Sequence, residues 1–176
     1  MNVSPVFETE NLIIKEIERK DKINFSRLLS DVAIVSPIPQ PPFSEVEIKE
    51  KFSKVINSSV NIIGDRITIL GVYVKNEANL IGLCAFLTNN EGDKELGYRF
   101  LEEYWGKGYA TELTKGAIGY CFSSLSLEKL TADVAVKNSA SVKVLEKFFV
   151  LVKEFYNKRD DCIDRRYEVY RESWNS

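Results

Sequence analysis

Two glycines, Gly106 and Gly108, stand between a predicted strand and a predicted helix in the segment YWGKGYATE (residues 104–112). The first backbone N–H groups of a helix have no partner within the helix, and the helix dipole adds partial positive charge there. Glycine has no Cβ, so a phosphate group can approach such a turn closely. The segment therefore predicts a pyrophosphate site, although the same glycines would also suit an ordinary left-handed turn.

This glycine pair does not belong to either of the two common nucleotide-binding motifs. The GxxxxGK[ST] pattern of P-loop proteins is absent. The GxGxxG pattern of dinucleotide-binding folds would need glycine at position 111, where the chain has Thr111. Both motifs also follow a parallel strand, whereas the strands before Gly106 are predicted to form an antiparallel meander.

A second polar pair, Asn138 and Ser141, lies in the segment VKNSASVKVLEKFF (residues 136–149). Asn138 follows a predicted strand and is placed to cap the next helix, with Ser141 in its first turn. Val142, Leu145 and Phe149 would form the buried stripe of that helix. Capping alone would account for both polar residues, and contact with a ligand is the functional alternative.

Composition excludes several classes of protein. The chain has no histidine, so Ser-His-Asp hydrolases, Cys-His proteases and His-ligated zinc sites are ruled out. The net charge of −2 argues against a nucleic-acid binder and permits a cationic partner such as an amine. Cys84, Cys121 and Cys162 lack zinc-site spacing, which predicts reduced thiols, no metal and a cytoplasmic location.

The length of 176 residues predicts one domain spanning residues 1–176. The first residues lack the pattern of a signal peptide, and no apolar run approaches the roughly 20 residues of a membrane helix. Hydrophobic periodicity predicts strands at residues 11–17, 67–74, 80–87, 94–101 and 129–136 and a closing hairpin at residues 152–170. It predicts helices at residues 21–31, 45–59, 109–125 and 139–149. This order gives a mixed α/β (α+β) sheet with helices on both faces.

The segments ELGYRFLEEYWGKGYATELTKGAIGYCF and VAVKNSASVKVLEKF together resemble the GNAT acetyltransferases. The similarity is to the branch of RimJ/RimL-like enzymes that acetylate the N-termini of ribosomal proteins, and ETENLIIKEI resembles the first strand of that branch. It implies a seven-stranded sheet in which two central parallel strands splay apart around acetyl-CoA. It also implies that the chain transfers an acetyl group from acetyl-CoA to a primary amine by direct attack in a ternary complex.

The resemblance also assigns site residues. Backbone groups of the glycine turn would hold the pyrophosphate, backbone groups at the end of the central strand would hold pantetheine, and a helix residue would lie near the nucleotide phosphates. The cofactor-binding residues so implied are Phe100, Leu101, Gly106, Lys107, Gly108, Tyr109, Ala110, Thr111, Asn138 and Lys143.

Three positions depart from the family pattern. Glu103 stands where the family has Gln or Arg, and a carboxylate has the wrong sign beside a pyrophosphate, so its side chain is expected to point to solvent. Phe149 replaces a glycine that usually ends the helix in a left-handed conformation, so the end of this helix is expected to differ. Leu145 occupies the place of the family's tyrosine acid.

Acetyl transfer needs a neutral amine and a group that takes its proton. An α-amino group, with a pKa near 8, is partly neutral at pH 7, which favours a protein N-terminus or a small amine as the acceptor. Glu95, in the segment KELGYRF of the central strand, is the predicted general base. A solvent-facing strand charge is the alternative for Glu95. Ser141 is the predicted proton donor to the leaving thiolate, a role of small effect because a thiolate leaves readily.

Three functions stay open at this stage. The chain could acetylate a protein N-terminus or small amine, it could acetylate polyamines or aminoglycosides, or it could be a non-catalytic acyl-CoA-binding module. The polyamine alternative predicts an acidic acceptor groove. Acceptor specificity is expected in the proline-rich loop at residues 36–43 and the helix after it. The partners are an amine and acetyl-CoA rather than nucleic acid or membrane, and the chain is a monomer or a homodimer.

Overall fold

The computed structural model describes residues 4–64 and 66–174. Its strands are β1 (Phe7–Glu8), β2 (Leu12–Lys15), β3 (Thr68–Val74), β4 (Leu80–Thr88), β5 (Lys94–Phe100), β6 (Lys129–Ala135), β7 (Val150–Asn157) and β8 (Cys162–Tyr170). Its α-helices are α1 (Lys22–Ser30), α2 (Val32–Val35), α3 (Glu45–Ile56), α4 (Tyr109–Ser123) and α5 (Ser139–Leu145). No helix in these two ranges is long and apolar enough to cross a bilayer.

The strands form one mixed sheet in the order β1-β2-β3-β4-β5-β6-β8-β7. Short turns join β3, β4 and β5 into the predicted antiparallel meander. The pairing of β5 with β6 is parallel, and α4 connects these two strands. The mixed α/β architecture is therefore confirmed, with one strand more than the seven implied by the resemblance.

The central strands separate almost at once. Glu95 and Thr131 form the single paired position between β5 and β6, so the remainder of the two strands diverges toward Phe100 and Ala135. At the closed end, the Thr131 hydroxyl donates to the carbonyl of Lys94 at 2.9 Å. A wedge-shaped gap in the middle of the sheet follows from this divergence.

Two hydrophobic cores flank the sheet. Helix α4 covers one face, where its buried residues Leu113, Ala117 and Cys121 join a cluster with Phe86 and Leu130. Helices α1 and α3 cover the other face in a second cluster that includes Phe25, Leu28, Phe52 and Leu83. Burial of each leucine or phenylalanine side chain contributes about 1.5–3 kcal/mol, so both helix layers hold the sheet in place.

Local signals fix the ends of the helices. The predicted capping box at the start of α3 is present: Ser44 N–H donates to the Glu47 carboxylate at 2.8 Å, and Glu47 N–H donates to the Ser44 hydroxyl at 3.4 Å. In the first turn of α4, the Glu112 carboxylate accepts from the backbone N–H of Asn11 at 2.6 Å and from its side chain at 3.0 Å. This contact ties the N-terminus of α4 to the turn between β1 and β2.

The predicted elements are present, with three differences. The two-residue strand β1 and the four-residue helix α2 were not predicted because such short elements have no period of their own. Helix α5 ends at Leu145 rather than at residue 149. Phe149 is buried and does not have a positive φ, so the expected change at this helix end is confirmed.

Candidate active site

The glycine turn before α4 leaves several backbone donors unused. Gly106 and Gly108 have φ values of 72° and 83°, which side chains rarely adopt, and a Cβ at either position would meet nothing within 4 Å. Gly108 is the N-cap of α4 and no side chain caps the helix there. The first intrahelical bond comes from the N–H of Glu112 to the carbonyl of Gly108, so the three N–H groups before it have no helical partner.

A cavity of about 490 Å³ lies beside this turn, and we call it the turn cavity. Phe100 and Trp105 border it on one side, Gly106, Gly108 and the first residues of α4 on a second, and residues 137–141 on a third. It therefore occupies the gap between β5 and β6 and faces the open N-terminus of α4. The unobstructed glycines and free N–H groups fit an anionic diphosphate, which is the chemistry that acetyl-CoA would bring.

A second cavity of about 570 Å³, the sheet cavity, lies on the face of the sheet that α1 and α3 cover. Glu95, Gly97 and Arg99 line it from β5, and Asp133 lines it from β6. The two cavities share six lining residues, namely Pro37, Ile38, Tyr98, Arg99, Asn138 and Ser141. They therefore meet at the open end of the gap, with the proline-rich loop above them.

The backbone of β5 distinguishes the two predicted residues at its end. The N–H of Leu101 donates to the carbonyl of Ile81 at 2.9 Å, toward β4. Along a strand, the backbone N–H and C=O groups of successive residues point to opposite sides. Since those of Leu101 point toward β4, the backbone groups of Phe100 and Tyr98 point toward the gap. Phe100 is thus available to a ligand, whereas Leu101 has its N–H occupied and its side chain in the core. The ligand-binding role expected of Leu101 stays a prediction, and the bond to Ile81 leaves its N–H without a part in it.

Asn138 and Ser141 lie where the two cavities meet, and capping explains part of their role. The Asn138 side-chain oxygen accepts from the backbone N–H of Ser141 at 3.3 Å and so caps α5. Within the described ranges, the Asn138 amide nitrogen makes no hydrogen bond, so it remains a donor toward the cavities. Leu145 is buried in the core, which agrees with the loss of the family's tyrosine acid at that position.

Tyr98 is a residue that the sequence analysis did not single out. Its hydroxyl is buried with no hydrogen-bond partner among the residues described, and its side chain lines both cavities. Burial raises the pKa of Tyr98, and the nearby hydroxyls of Ser141 and Thr114 partly offset this rise. A neutral phenol therefore stands beside Ser141 at the junction. Because Tyr98 precedes Phe100 by two residues on β5, the alternation of side chains along a strand could have placed it on the same side as a predicted cofactor-binding residue.

Glu95 lies at the point where β5 and β6 part, with its side chain in the sheet cavity. Burial raises its pKa to about 7, and the negative charge of Asp133 adds to this rise. Arg166 opposes it. A carboxylate with this pKa changes its protonation near neutral pH, as a general base requires.

Asp133 is itself held by a buried arginine. Arg166, with a side chain 2% exposed, donates to the Asp133 carboxylate at 2.8 and 2.7 Å. Its remaining nitrogen lies 2.8 Å from the carboxylate of Glu91. This ion-pair network fixes the charges that surround Glu95.

Lys147, which the sequence analysis did not single out, lies closer to the first turn of α4 than the predicted Lys143 does in its hydrogen bonding. Lys143 is exposed and lines neither of the two cavities. Lys147, one turn further along, places its ammonium group 3.2 Å from the hydroxyl of Thr111 in the first turn of α4. Lys107 lies over the ring of Tyr104, 4.9 Å from its centroid, and also lies outside the lining of the turn cavity. Lys147 is therefore a further cation at the first turn of α4, and the role expected of Lys143 stays a prediction.

Glu103 does not simply point to solvent. Its two carboxylate oxygens accept from both terminal nitrogens of Arg27 at 2.9 and 3.1 Å. The ion pair lowers the pKa of Glu103 and directs the carboxylate toward α1, away from the glycine turn. The negative charge of Glu103 is thus neutralised by Arg27, a partner that sequence spacing could not reveal.

Three other carboxylates come together, but they already have cationic partners. The ligand oxygens of Glu91, Asp93 and Glu168 lie within 4.8 Å of one another. Lys129 pairs with Asp93 at 2.7 Å and with Glu168 at 3.6 Å. Arg166 approaches Glu91, as described above, so protein cations balance the charge of this cluster.

Comparison with known proteins decides the family. The model of the acetyltransferase (GNAT) domain matches residues 11–148. The chain belongs to the GNAT acetyltransferase family. The expectation of an acetyltransferase enzyme is confirmed, and the non-catalytic module is set aside.

Individual relatives agree with this assignment. This GNAT protein is 31% identical to the uncharacterized N-acetyltransferase p20 of Bacillus licheniformis, over 92% of this chain and 91% of p20. It resembles the structure of a GNAT-family acetyltransferase from Bacillus anthracis with a TM-score of 0.81 and 23% identity, covering 95% and 99% of the two chains. It also resembles spermidine N-acetyltransferase from Vibrio cholerae in complex with CoA and spermine, with a TM-score of 0.74, 25% identity and coverage of 92% and 96%.

Proposed function

We propose that this GNAT protein transfers the acetyl group of acetyl-CoA to the primary amine of a protein N-terminus or a small amine, as RimJ/RimL-like enzymes do. The observation that carries the proposal is the meeting of the two cavities at Tyr98, Asn138 and Ser141, with Glu95 in one of them. A donor in the turn cavity and an acceptor in the sheet cavity would touch at this junction, which suits direct attack in a ternary complex.

The turn cavity suits the donor. The free N–H groups of Tyr109, Ala110 and Thr111 would bind the pyrophosphate, with Gly106 and Gly108 leaving room for it. The backbone groups of Phe100 would bind pantetheine in the manner of an added strand, and the Asn138 amide would donate to the same arm. Lys107 and Lys147 would add positive charge near the phosphates.

The sheet cavity suits the acceptor and its proton. The amine nitrogen attacks the thioester carbonyl, the new C–N bond forms, and the C–S bond breaks. The amine proton passes to Glu95, directly or through one water molecule, and the CoA thiolate leaves. Ser141, with Tyr98 beside it, would donate a hydrogen bond or a proton to that thiolate. The attacking group must arrive neutral, which an α-amino group with a pKa near 8 does more readily than a lysine side chain.

Polyamine acetylation is a second candidate, favoured by the spermidine acetyltransferase among the relatives and by acidic residues in the sheet cavity. Four carboxylates line that cavity, from Glu95, Asp133, Asp160 and Asp164. Arg166 neutralises Asp133, and Arg159 neutralises Asp160 at 2.7 Å. The cavity is therefore less acidic than its list of carboxylates suggests, and the same argument applies to aminoglycosides.

A thiol-release assay with acetyl-CoA tests the proposed function. The acceptor panel contains short peptides with free N-termini, small primary amines, polyamines and aminoglycosides, and each active acceptor is confirmed by the mass of its acetylated product. We expect turnover with peptides or small amines. Turnover confined to polyamines or aminoglycosides would select the second candidate, and thiol release without any acetylated product would contradict both.

Lys147 and Lys143 provide a matched pair for the phosphate contact. Lys147→Ala should weaken CoA binding about 2- to 5-fold, because an exposed ion pair contributes up to about 1 kcal/mol. Lys143→Ala removes the same charge one turn earlier and should leave the affinity unchanged. Isothermal titration calorimetry with CoA measures both, and equal effects of the two substitutions would contradict the structural assignment.

Asp133 offers a test of the electrostatics around Glu95. Asp133→Asn removes a negative charge that raises the pKa of Glu95, so that pKa should fall. The acid limb of the kcat/KM profile should then move to lower pH, and a thermal unfolding scan reports the cost of weakening the contact with Arg166. An acid limb that does not move, or that moves to higher pH, would show that Glu95 does not control it.

A cytoplasmic location stays a prediction, based on the free thiols of Cys84, Cys121 and Cys162. The choice between monomer and homodimer is also untested, and size-exclusion chromatography with light scattering would decide it.

A further inference from the structure

We propose that Arg99 selects acceptors that carry a carboxylate as well as an amine, so that the substrate is a molecule of the amino-acid class rather than a polyamine. This inference rests on the proposed function. In this arrangement the amine lies beside the thioester with Glu95 behind it, and the carboxylate lies against the guanidinium group of Arg99, which reaches toward Leu28 of α1. Three features of the molecule support this role: the unpaired charge of Arg99, its place at the junction, and the open space at Gly97.

Arg99 is a largely buried cation without an anionic partner in the described ranges. One of its five donors is used, by a hydrogen bond from a terminal nitrogen to the carbonyl of Leu28 at 3.2 Å. Burial lowers the pKa of Arg99 to about 10, and no carboxylate offsets that shift. An arginine with this pKa is still charged at pH 7, so most of its donor capacity is left for a ligand.

The location of Arg99 separates it from a purely structural arginine. It lines both the turn cavity and the sheet cavity, on the same face of β5 as Glu95. Four residues of a strand span about 13 Å between Cα atoms, and both side chains extend into the same cavity. A positive and a negative group thus border one space, an arrangement that complements a small zwitterion.

Gly97 lies between Glu95 and Arg99 on the same face of β5. A Cβ at this position would lie 3.4 Å from Leu87 and 4.0 Å from Ala85, which are ordinary contacts, and its φ lies outside the range that favours glycine. Neither packing nor backbone conformation therefore requires glycine here. Its absent side chain instead leaves the sheet cavity open between Glu95 and Arg99.

A polyamine fits this arrangement less well. Its second ammonium group would share the cavity with the uncompensated positive charge of Arg99, where like charges repel. A carboxylate in the same place would accept charge-assisted hydrogen bonds from the guanidinium group, which presents paired donors in the geometry that carboxylates match.

The test compares matched acceptors that differ only in the carboxylate. The thiol-release assay uses ω-amino acids from glycine to aminohexanoate, each beside the alkylamine of the same chain length, together with lysine beside cadaverine. We expect the parent protein to prefer the carboxylate-bearing member by about 10- to 100-fold in kcat/KM, the usual value of a hydrogen bond to a charged group.

Arg99→Gln keeps a donor for the Leu28 carbonyl and removes the charge. It should bring the preference close to one through a higher KM for the amino acid, while the KM for the alkylamine of the same chain length stays within about two-fold of the parent value. Gly97→Val is the second variant, and it should raise the KM of every acceptor without weakening CoA binding. Unfolding midpoints of both variants serve as the control for folding.

The outcomes separate this inference from the proposed function. A parent protein that acetylates both members of each pair equally, or prefers the alkylamine or polyamine, overturns the role of Arg99 and leaves the acetyltransferase activity intact. An unchanged preference in Arg99→Gln overturns it as well. A parent protein that acetylates peptides but no amine of this panel likewise overturns the role of Arg99, whereas one that acetylates neither these amines nor the peptides contradicts the proposed function. If Arg99→Gln does not fold, the preference of the parent protein and the Gly97→Val result still decide the question.

Discussion

Replacing Glu95 with glutamine should lower kcat by about 10²- to 10⁴-fold near pH 7, which corresponds to about 3–5 kcal/mol of activation free energy. Glutamine keeps the shape of the side chain and removes its ability to take a proton. The affinity for acetyl-CoA should be preserved, because Glu95 lines the sheet cavity and not the turn cavity. Steady-state kinetics with a single shared acceptor, together with calorimetry for CoA, measure the two quantities.

The pH dependence of kcat/KM tests the role of Glu95 more directly than kcat at a single pH does. With the pKa of Glu95 raised to about 7, the base is protonated below that pH and free above it, so the kcat/KM of the parent should rise through pH 7. Glu95→Gln should lose this limb, and its defect should shrink above the pKa of the acceptor, where the amine arrives already neutral. Profiles that superimpose near neutral pH would show that Glu95 is structural.

A matched control comes from the same cavity. Asp160 lines the sheet cavity and is paired with Arg159, so Asp160→Asn removes a carboxylate without touching Glu95. Its kcat should stay within about two-fold of the parent value. A loss of turnover in Asp160→Asn equal to that in Glu95→Gln would point to the general charge of the cavity and not to proton transfer by Glu95.

Glu95→Gln should raise the stability of the fold although it lowers the catalytic activity. A carboxyl group whose pKa is raised on folding binds its proton more tightly in the native state, so the ionised form of Glu95 destabilises the fold. That cost is present above pH 7 and disappears as the pH falls toward the ordinary pKa of 4.5. Glu95→Gln should therefore unfold at a higher temperature than the parent at pH 8, with the difference vanishing near pH 4.5.

The second large effect is expected at the glycine turn. Gly108→Asp should weaken CoA binding about 30- to 1000-fold, or about 2–4 kcal/mol, for two reasons. The φ of 83° at Gly108 is costly for a residue with a Cβ, and the new carboxylate would stand beside the pyrophosphate at the N-terminus of α4. Calorimetry with CoA measures the loss, and Gly108→Ala should show only the smaller part due to backbone conformation.

The turn between β4 and β5 supplies a control with the same backbone geometry. Gly92 has a φ of 85°, and a Cβ there would also meet nothing within 4 Å. Gly92→Asp thus adds the same strain and the same charge at the closed end of the gap, away from α4. It should leave CoA affinity unchanged. An unchanged affinity in Gly108→Asp, or an equal loss in both variants, would contradict the placement of the pyrophosphate at the glycine turn.

The secondary-structure elements and the glycine turn could be predicted from the sequence alone, because they depend on residues close together in the chain. The period of two in β3, β4 and β5, the capping box of Ser44 and the glycines before α4 are all local signals. The family resemblance followed from the same local segments. It also anticipated that Phe149 would change the end of α5, since the side chain of Phe149 disfavours the left-handed conformation that glycine supplies.

Which charged groups face each other could be seen only in the folded chain. Glu103 meets Arg27 on α1, Lys147 rather than Lys143 reaches Thr111, and the N–H of Leu101 is taken by β4. Helix phase and strand register set these contacts, and no local spacing encodes how two distant elements are brought together. The alternation of side chains along a strand could have placed Arg99 on the same face of β5 as Glu95. That Arg99 is buried there without an anionic partner in the described ranges depends on how α1 and the proline-rich loop pack over the sheet.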